Sequence, residues 1–104
     1  MSEAAAPELT GRQRKHLRGL AHGIRPTVQV GAEGASEAVL REVNLALDSH
    51  ELIKVRLHEP DDKKALAAEL AEGSSSALCG LVGHTVILYR AHPERPRISL
   101  TGAS

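Results

Sequence analysis

From residue 9 onward, stretches whose apolar residues recur every three to four positions alternate with stretches in which they recur every second one. Between Leu9 and about Ile24, Leu9, Gln13, Leu17, Leu20, Ala21 and Ile24 share one arc, and Arg12, Arg14, Lys15, Arg18 and His22 share the other. This predicts a helix with Thr10 as its N-cap. Pro26 keeps Arg25 out of the α region, and the β-prone run Thr27 to Val30 predicts a short strand. After Gly31-Ala32-Glu33-Gly34, Ser36 caps a second helix whose apolar face is Val39, Leu40, Val43, Ala46 and Leu47. His50-Glu51 closes that helix. Leu52 to Leu57 then alternates, with Ile53, Val55 and Leu57 on one side and Lys54 and Arg56 on the other, a strand with a basic outer face.

Glu59-Pro60-Asp61-Asp62 reads as a turn into a third helix, Lys63 to about Glu72, packed through Leu66, Leu70 and its alanines. Gly73 to Ser76 breaks it. Two β runs follow, Ala77 to Val82 and Thr85 to Ala91, joined tightly by Gly83-His84. From His92 the chain is an extended tail whose Ile98 and Leu100 either add a strand end or lie along the surface. The fold class is therefore α/β: a single compact domain of order αβαβαββ, with a four-stranded mixed sheet, right-handed crossovers between the first strands, and helices packed over a face. The domain should span residues 9–100, between a disordered tail at 1–8 and a short tail at 101–104.

Composition narrows the function. The chain has 104 residues, 41% of them hydrophobic and 25% charged, with thirteen basic and thirteen acidic side chains, so the placement of charge matters more than its total. No acid lies between Glu8 and Glu33, which makes the all-basic face of the first helix unusual in a neutral protein. Two readings follow, a polyanion-binding face and a merely solvated one, and the first is preferred. With no Trp, no Phe and one Tyr, a surface of stacked aromatics is excluded. A lone cysteine excludes an internal disulfide. The acidic N-terminus lacks the features of a signal peptide and no apolar run reaches the roughly 18 residues of a membrane span, so a soluble cytoplasmic protein is expected.

A Gly-x-x-Gly turn between a strand and a helix lets another backbone come close and points the helix's unpaired N–H groups at it, a geometry suited to phosphate; by itself such a turn is commonly only a turn. A KH domain uses a similar loop between two helices, whereas this one follows a strand. The second such pattern, Gly80 to Gly83, has no helix behind it and reads as turn chemistry. His16, His22, His50, His58, His84 and His92 contain no pair at metal-ligand spacing, so no metal or other cofactor is expected. Cys79 sits in an apolar run, as a small buried hydrophobe would. No catalytic motif is present, and no small-molecule substrate is expected.

The chain resembles the CRM domain (chloroplast RNA splicing and ribosome maturation) in its bacterial stand-alone, YhbY-like form. The likeness covers residues 9–100 and rests on Leu9-Thr10 with Gln13-Arg14 and Leu17, on Leu20-Ala21-His22 with Pro26, on Val30-Gly31-x-x-Gly34, on His50 to Val55, and on Gly83 with Leu88-Tyr89-Arg90. It implies a fold like the C-terminal domain of bacterial translation initiation factor three, RNA as partner, association with precursors of the large ribosomal subunit, and RNA contact through the glycine loop. In the family that loop often carries Lys or a polar residue; here it carries Ala32 and Glu33, and a carboxylate repels phosphate. The expectation is thus a non-catalytic, monomeric RNA-binding module using Arg12, Arg14, Lys15, Arg18, His22, Gly31, Ala32, Glu33, Gly34, Lys54 and Arg56. The alternative is a protein-interaction adaptor whose basic helix meets an acidic partner on the ribosome or elsewhere.

Overall fold

The computed structural model describes residues 8–100, so residues 1–7 of the expected N-terminal tail, and the expected tail at 101–104, lie outside the described residues. Three helices, α1 (Gly11–Ala21), α2 (Glu37–His50) and α3 (Lys63–Gly73), and four strands, β1 (Val28–Val30), β2 (Leu52–Leu57), β3 (Ala77–Val82) and β4 (Thr85–Tyr89), follow in the expected order. The sheet runs β1-β2-β4-β3, with β1 parallel to β2 and the other pairs antiparallel.

The helix starts have the local chemistry their sequences announce. The Thr10 hydroxyl accepts the Gln13 N–H at 3.0 Å while Gln13 Oε1 accepts the Thr10 N–H at 2.9 Å, a reciprocal capping box. Gln13 is thus taken up by the cap and does not belong to the apolar arc. Ser36 and Asp62 accept from Val39 N–H and Ala65 N–H to cap α2 and α3. Helix α1 stops at Ala21, short of Ile24, whose N–H donates to the Ala21 carbonyl and turns the chain toward β1.

Ile53, Val55 and Leu57 of β2, with Val86 and Leu88 of β4, form the main core against Val39, Val43 and Leu47 of α2 and Ala67 and Leu70 of α3. Helix α1 lies on the opposite face. Its Leu17 and Ala21 join Leu52, Cys79, Ile87 and Tyr89 in a second cluster, so helices cover both faces of the sheet and not one. The reason lies in strand alternation: while odd positions of β2 feed the main core, Leu52, Ile87 and Tyr89 leave apolar surface on the other side, which α1 covers. The buried stripe of α1 is one residue wide. Leu20, expected in the core, is 45% exposed.

Beyond α1 that face of the sheet is bare: Arg56 is exposed and Lys54 half-buried. The segment 92–100 is held down. Ile98 and Leu100 pack against the second cluster without forming a strand, and the buried Glu51 carboxylate accepts the N–H groups of His92, Arg97 and Ile98 at 2.6, 2.9 and 3.1 Å. Gly83 (φ +60) makes the β3–β4 turn, whereas Gly80 lies inside β3 just past a bulge. A Cβ there would stand 2.6 Å from Arg18 Cδ, so Gly80 provides clearance for an arginine and is not part of the turn, contrary to the sequence reading.

Candidate nucleic-acid interface

Helix α1 crosses the sheet so that one flank opens over the bare part of the face. Between them runs a groove of about 680 Å³ bounded by Lys15, Arg18 and His22 from the helix and Lys54, Thr85 and Ile87 from the strands. Lys54 Nζ reaches the His22 carbonyl at 3.5 Å, across the mouth. None of Lys15, Arg18, Lys54 and Arg56 has an acidic partner among the described residues, where the ion pair found joins Arg90 and Asp48. Strand alternation carries the same face beyond Lys54 to Arg56 and then to His58, whose Nε2 lies 2.7 Å from Gln29 Oε1.

The basic residues of α1 are not equivalent. Arg12 and Lys15 point outward and are exposed. Arg14 is half-buried and donates to the Leu9 carbonyl at 2.5 Å, anchoring the helix start. Arg18 passes over Gly80 to donate to the Cys79 carbonyl at 2.8 Å, so one donor is used internally while the rest of the guanidinium borders the groove. Cys79 itself lies below. Burial pushes its thiol up to about 11 against the pull of Arg14 and Arg18, which keeps it protonated and unsuited to nucleophilic chemistry.

The glycine loop occupies a different place. The Gly34 N–H donates to the Gly31 carbonyl at 3.1 Å and Gly34 takes φ +63, a tight turn that needs glycine at that position. Glu33 folds back so that its Oε1 would stand 3.2 Å from a Cβ placed on Gly31. Ser36 already caps α2, and Glu37 sits in the first turn. Toward α3 the loop borders a separate depression of about 450 Å³ carrying Glu59, Asp61, Asp62 and Glu69. The two depressions share no residue. From Lys54 to His58, just past the end of β2, four steps along the extended chain span about 13 Å, and the His58 N–H donates to the Val30 carbonyl just before the loop.

Of the residues named from sequence, Lys15, Arg18, His22 and Lys54 come together in one groove and Arg56 extends it. Gly31, Ala32, Glu33 and Gly34 stand apart, bordered by acids. Continued two residues, the alternation of Lys54 and Arg56 reaches His58, which lies outside the lining of the groove. Gly19, Val82, Thr85 and Ile87 also line the groove, and nothing local marks them. Among the described residues no cluster of metal-ligating side chains occurs, and no helix is long and apolar enough to cross a membrane.

A mixed sheet layered between helices, with a cationic cleft under the first of them, defines a small α/β domain. The chain belongs to the CRS1/YhbY (CRM) domain family, whose sequence profile matches residues 9–90. It is 37% identical over 94 residues to the Bacillus subtilis protein named "Probable RNA-binding protein YqeI", covering 88% of this chain and 98% of that one. It is 36% identical to a Haemophilus influenzae protein named "RNA-binding protein", over 83% of this chain and 89% of the other. The solution structure of SAV1595 from Staphylococcus aureus superposes with a TM-score of 0.78 at 38% identity, covering 88% of this chain and 98% of that one.

Proposed function

We propose that this protein is a non-catalytic RNA-binding module that holds the RNA backbone in the α1 groove and along the β2 strip. The observation that carries this reading is the convergence of Lys15, Arg18 and Lys54, without acidic partners among the described residues, around a groove on a half-bare sheet. Fixed cations on a rigid frame neutralise phosphates whatever the bases, so recognition is by charge and shape. The names of its relatives support RNA as the polyanion. On this reading the glycine loop supplies at most a flanking contact through its backbone N–H groups, because phosphate there would have to displace Glu33 and tolerate Glu37. The target is ribosomal RNA in precursors of the large subunit, an expectation that rests on the family likeness.

The test is RNA affinity as a function of salt. If Lys15, Arg18, Lys54 and Arg56 each neutralise one phosphate, log K falls against log salt with a slope of about −3 to −4. The combined variant Lys15→Ala, Lys54→Ala and Arg56→Ala removes three of those contacts and spares the internally bonded Arg14 and Arg18. It should flatten the slope to about −1 and weaken all RNA sequences alike. An unchanged slope would refute the groove as the site. Co-sedimentation with large-subunit precursors checks the choice of RNA; a protein that stays at the top of the gradient while binding RNA freely overturns that part alone.

A further inference from the structure

We propose that the α1 groove accepts one unstacked nucleobase of the bound RNA as well as its phosphates, an inference that rests on the RNA-binding reading above. A site for phosphate alone needs cations and no apolar floor. This groove has both. Thr85 and Ile87, the latter only 3% exposed, lie at its base, and the open apolar surface is supplied by Val82, 63% exposed at the end of β3. Lys15, Arg18 and Lys54 stand around the rim. Apolar floor and cationic rim together match an amphiphilic ligand, a flat base with a phosphate on either side. The groove volume of about 680 Å³ is that of a small-ligand site, typically about 300–1,000 Å³.

The helix wall shows the same fit. Gly19 lines the groove and a Cβ built on it would meet nothing within 4 Å, so the α1 backbone borders open space a planar group can enter. Tyr89, the one aromatic side chain, is buried, so a base would lie on aliphatic surface and gain less than from aromatic stacking. Bases are available for this only where RNA is single-stranded or looped, so the groove selects unpaired RNA over a continuous duplex.

Gly19→Leu tests the proposal, because it fills the groove from a position with free space and leucine suits a helix better than glycine. The probes are a single-stranded RNA oligomer and the same ribose-phosphate chain without bases. The wild-type protein should bind the base-bearing oligomer about five- to tenfold more tightly than the abasic one. Gly19→Leu should abolish that preference while keeping the salt slope, and Gly19→Ser, which leaves the groove open, should retain it. Val82→Asn, at an exposed position, should narrow the preference and gives a second reading if Gly19→Leu does not fold. Equal wild-type affinity for both oligomers, or a preference that survives Gly19→Leu, overturns the base site and leaves backbone binding standing. Failure to bind either oligomer overturns both.

Discussion

Replacing Glu51 with glutamine should release the C-terminal segment from the body of the protein. Glu51 is 2% exposed, ends α2 at φ +62, and its two carboxylate oxygens accept three backbone N–H groups, from His92, Arg97 and Ile98. Glutamine keeps one oxygen and turns an NH₂ group toward at least one of those donors. Hydrogen bonds to a charged group are worth about 1.5–3 kcal/mol each, and an orphaned buried donor costs about 1–3 kcal/mol. The loss cannot exceed the docking energy of residues 91–100, since the variant can let them go. About 2 kcal/mol is therefore expected, lowering Tm by roughly 8–16 °C for a domain of this size.

The pH dependence has a definite sign. Burial alone would raise the Glu51 pKa, but the three backbone N–H groups and the Arg97 guanidinium outweigh it and hold the carboxyl below its ordinary 4.5. Its stabilisation is complete above that value and is lost as pH falls through the lower folded value. Wild-type protein and Glu51→Gln should therefore differ in Tm at neutral pH and converge as the solution is acidified below 4.5. Amide hydrogen exchange at His92, Arg97 and Ile98 should speed up in the variant while core amides of β2 and β4 change less. Equal stability at neutral pH, or a gap that widens on acidification, would refute the role given to this carboxylate.

Cys79, buried and shifted up to about 11, should resist alkylation near neutral pH in the folded protein and react at once in denaturant; rapid native-state labelling would show that the second cluster opens. Arg90 donates to Asn44 Oδ1 at 2.7 Å, the Ser74 carbonyl at 2.5 Å and Asp48 at 2.8 Å, tying β4's end to α2 and α3. Arg90→Met should cost about 2–3 kcal/mol in urea unfolding, because it strands the carbonyl of buried Ser74 and the half-buried Asn44 amide oxygen; a change under about 0.5 kcal/mol would make these surface contacts. Gly34→Ala, at φ +63, should cost about 1–2 kcal/mol and leave RNA affinity near wild type if the glycine loop is a flanking contact. A large affinity loss without loss of stability would move the site to the loop. If co-purification of partners survives complete RNA digestion, the basic helix meets protein and the adaptor reading replaces RNA binding.

Element order was legible because helices and strands are written in local spacing. Thr10 and Ser36 can be placed at helix starts by the bonds they make within three residues, and the alternation of Ile53, Lys54, Val55 and Arg56 assigns two faces without reference to anything else. The same spacing brought out Lys15, Arg18, His22, Lys54 and Arg56 as candidates. It could not tell that Arg14 turns in to the Leu9 carbonyl, that Arg18 spends a donor on Cys79, or that Gly80 is there to let it pass.

By itself the sequence determined the number of elements, their amphipathic faces and the sign of charge on each, because those depend on neighbours a few residues away. Only the tertiary structure decided that α1 covers the sheet face opposite α2 and α3, and that it leaves part of that face open as a groove. The same holds for the acids that surround the glycine loop and for the carboxylate of Glu51, which gathers three N–H groups more than forty residues away. Each of these is a pairing between remote parts of the chain. Such pairings follow from which apolar surfaces must be buried against one another, and no local period records them.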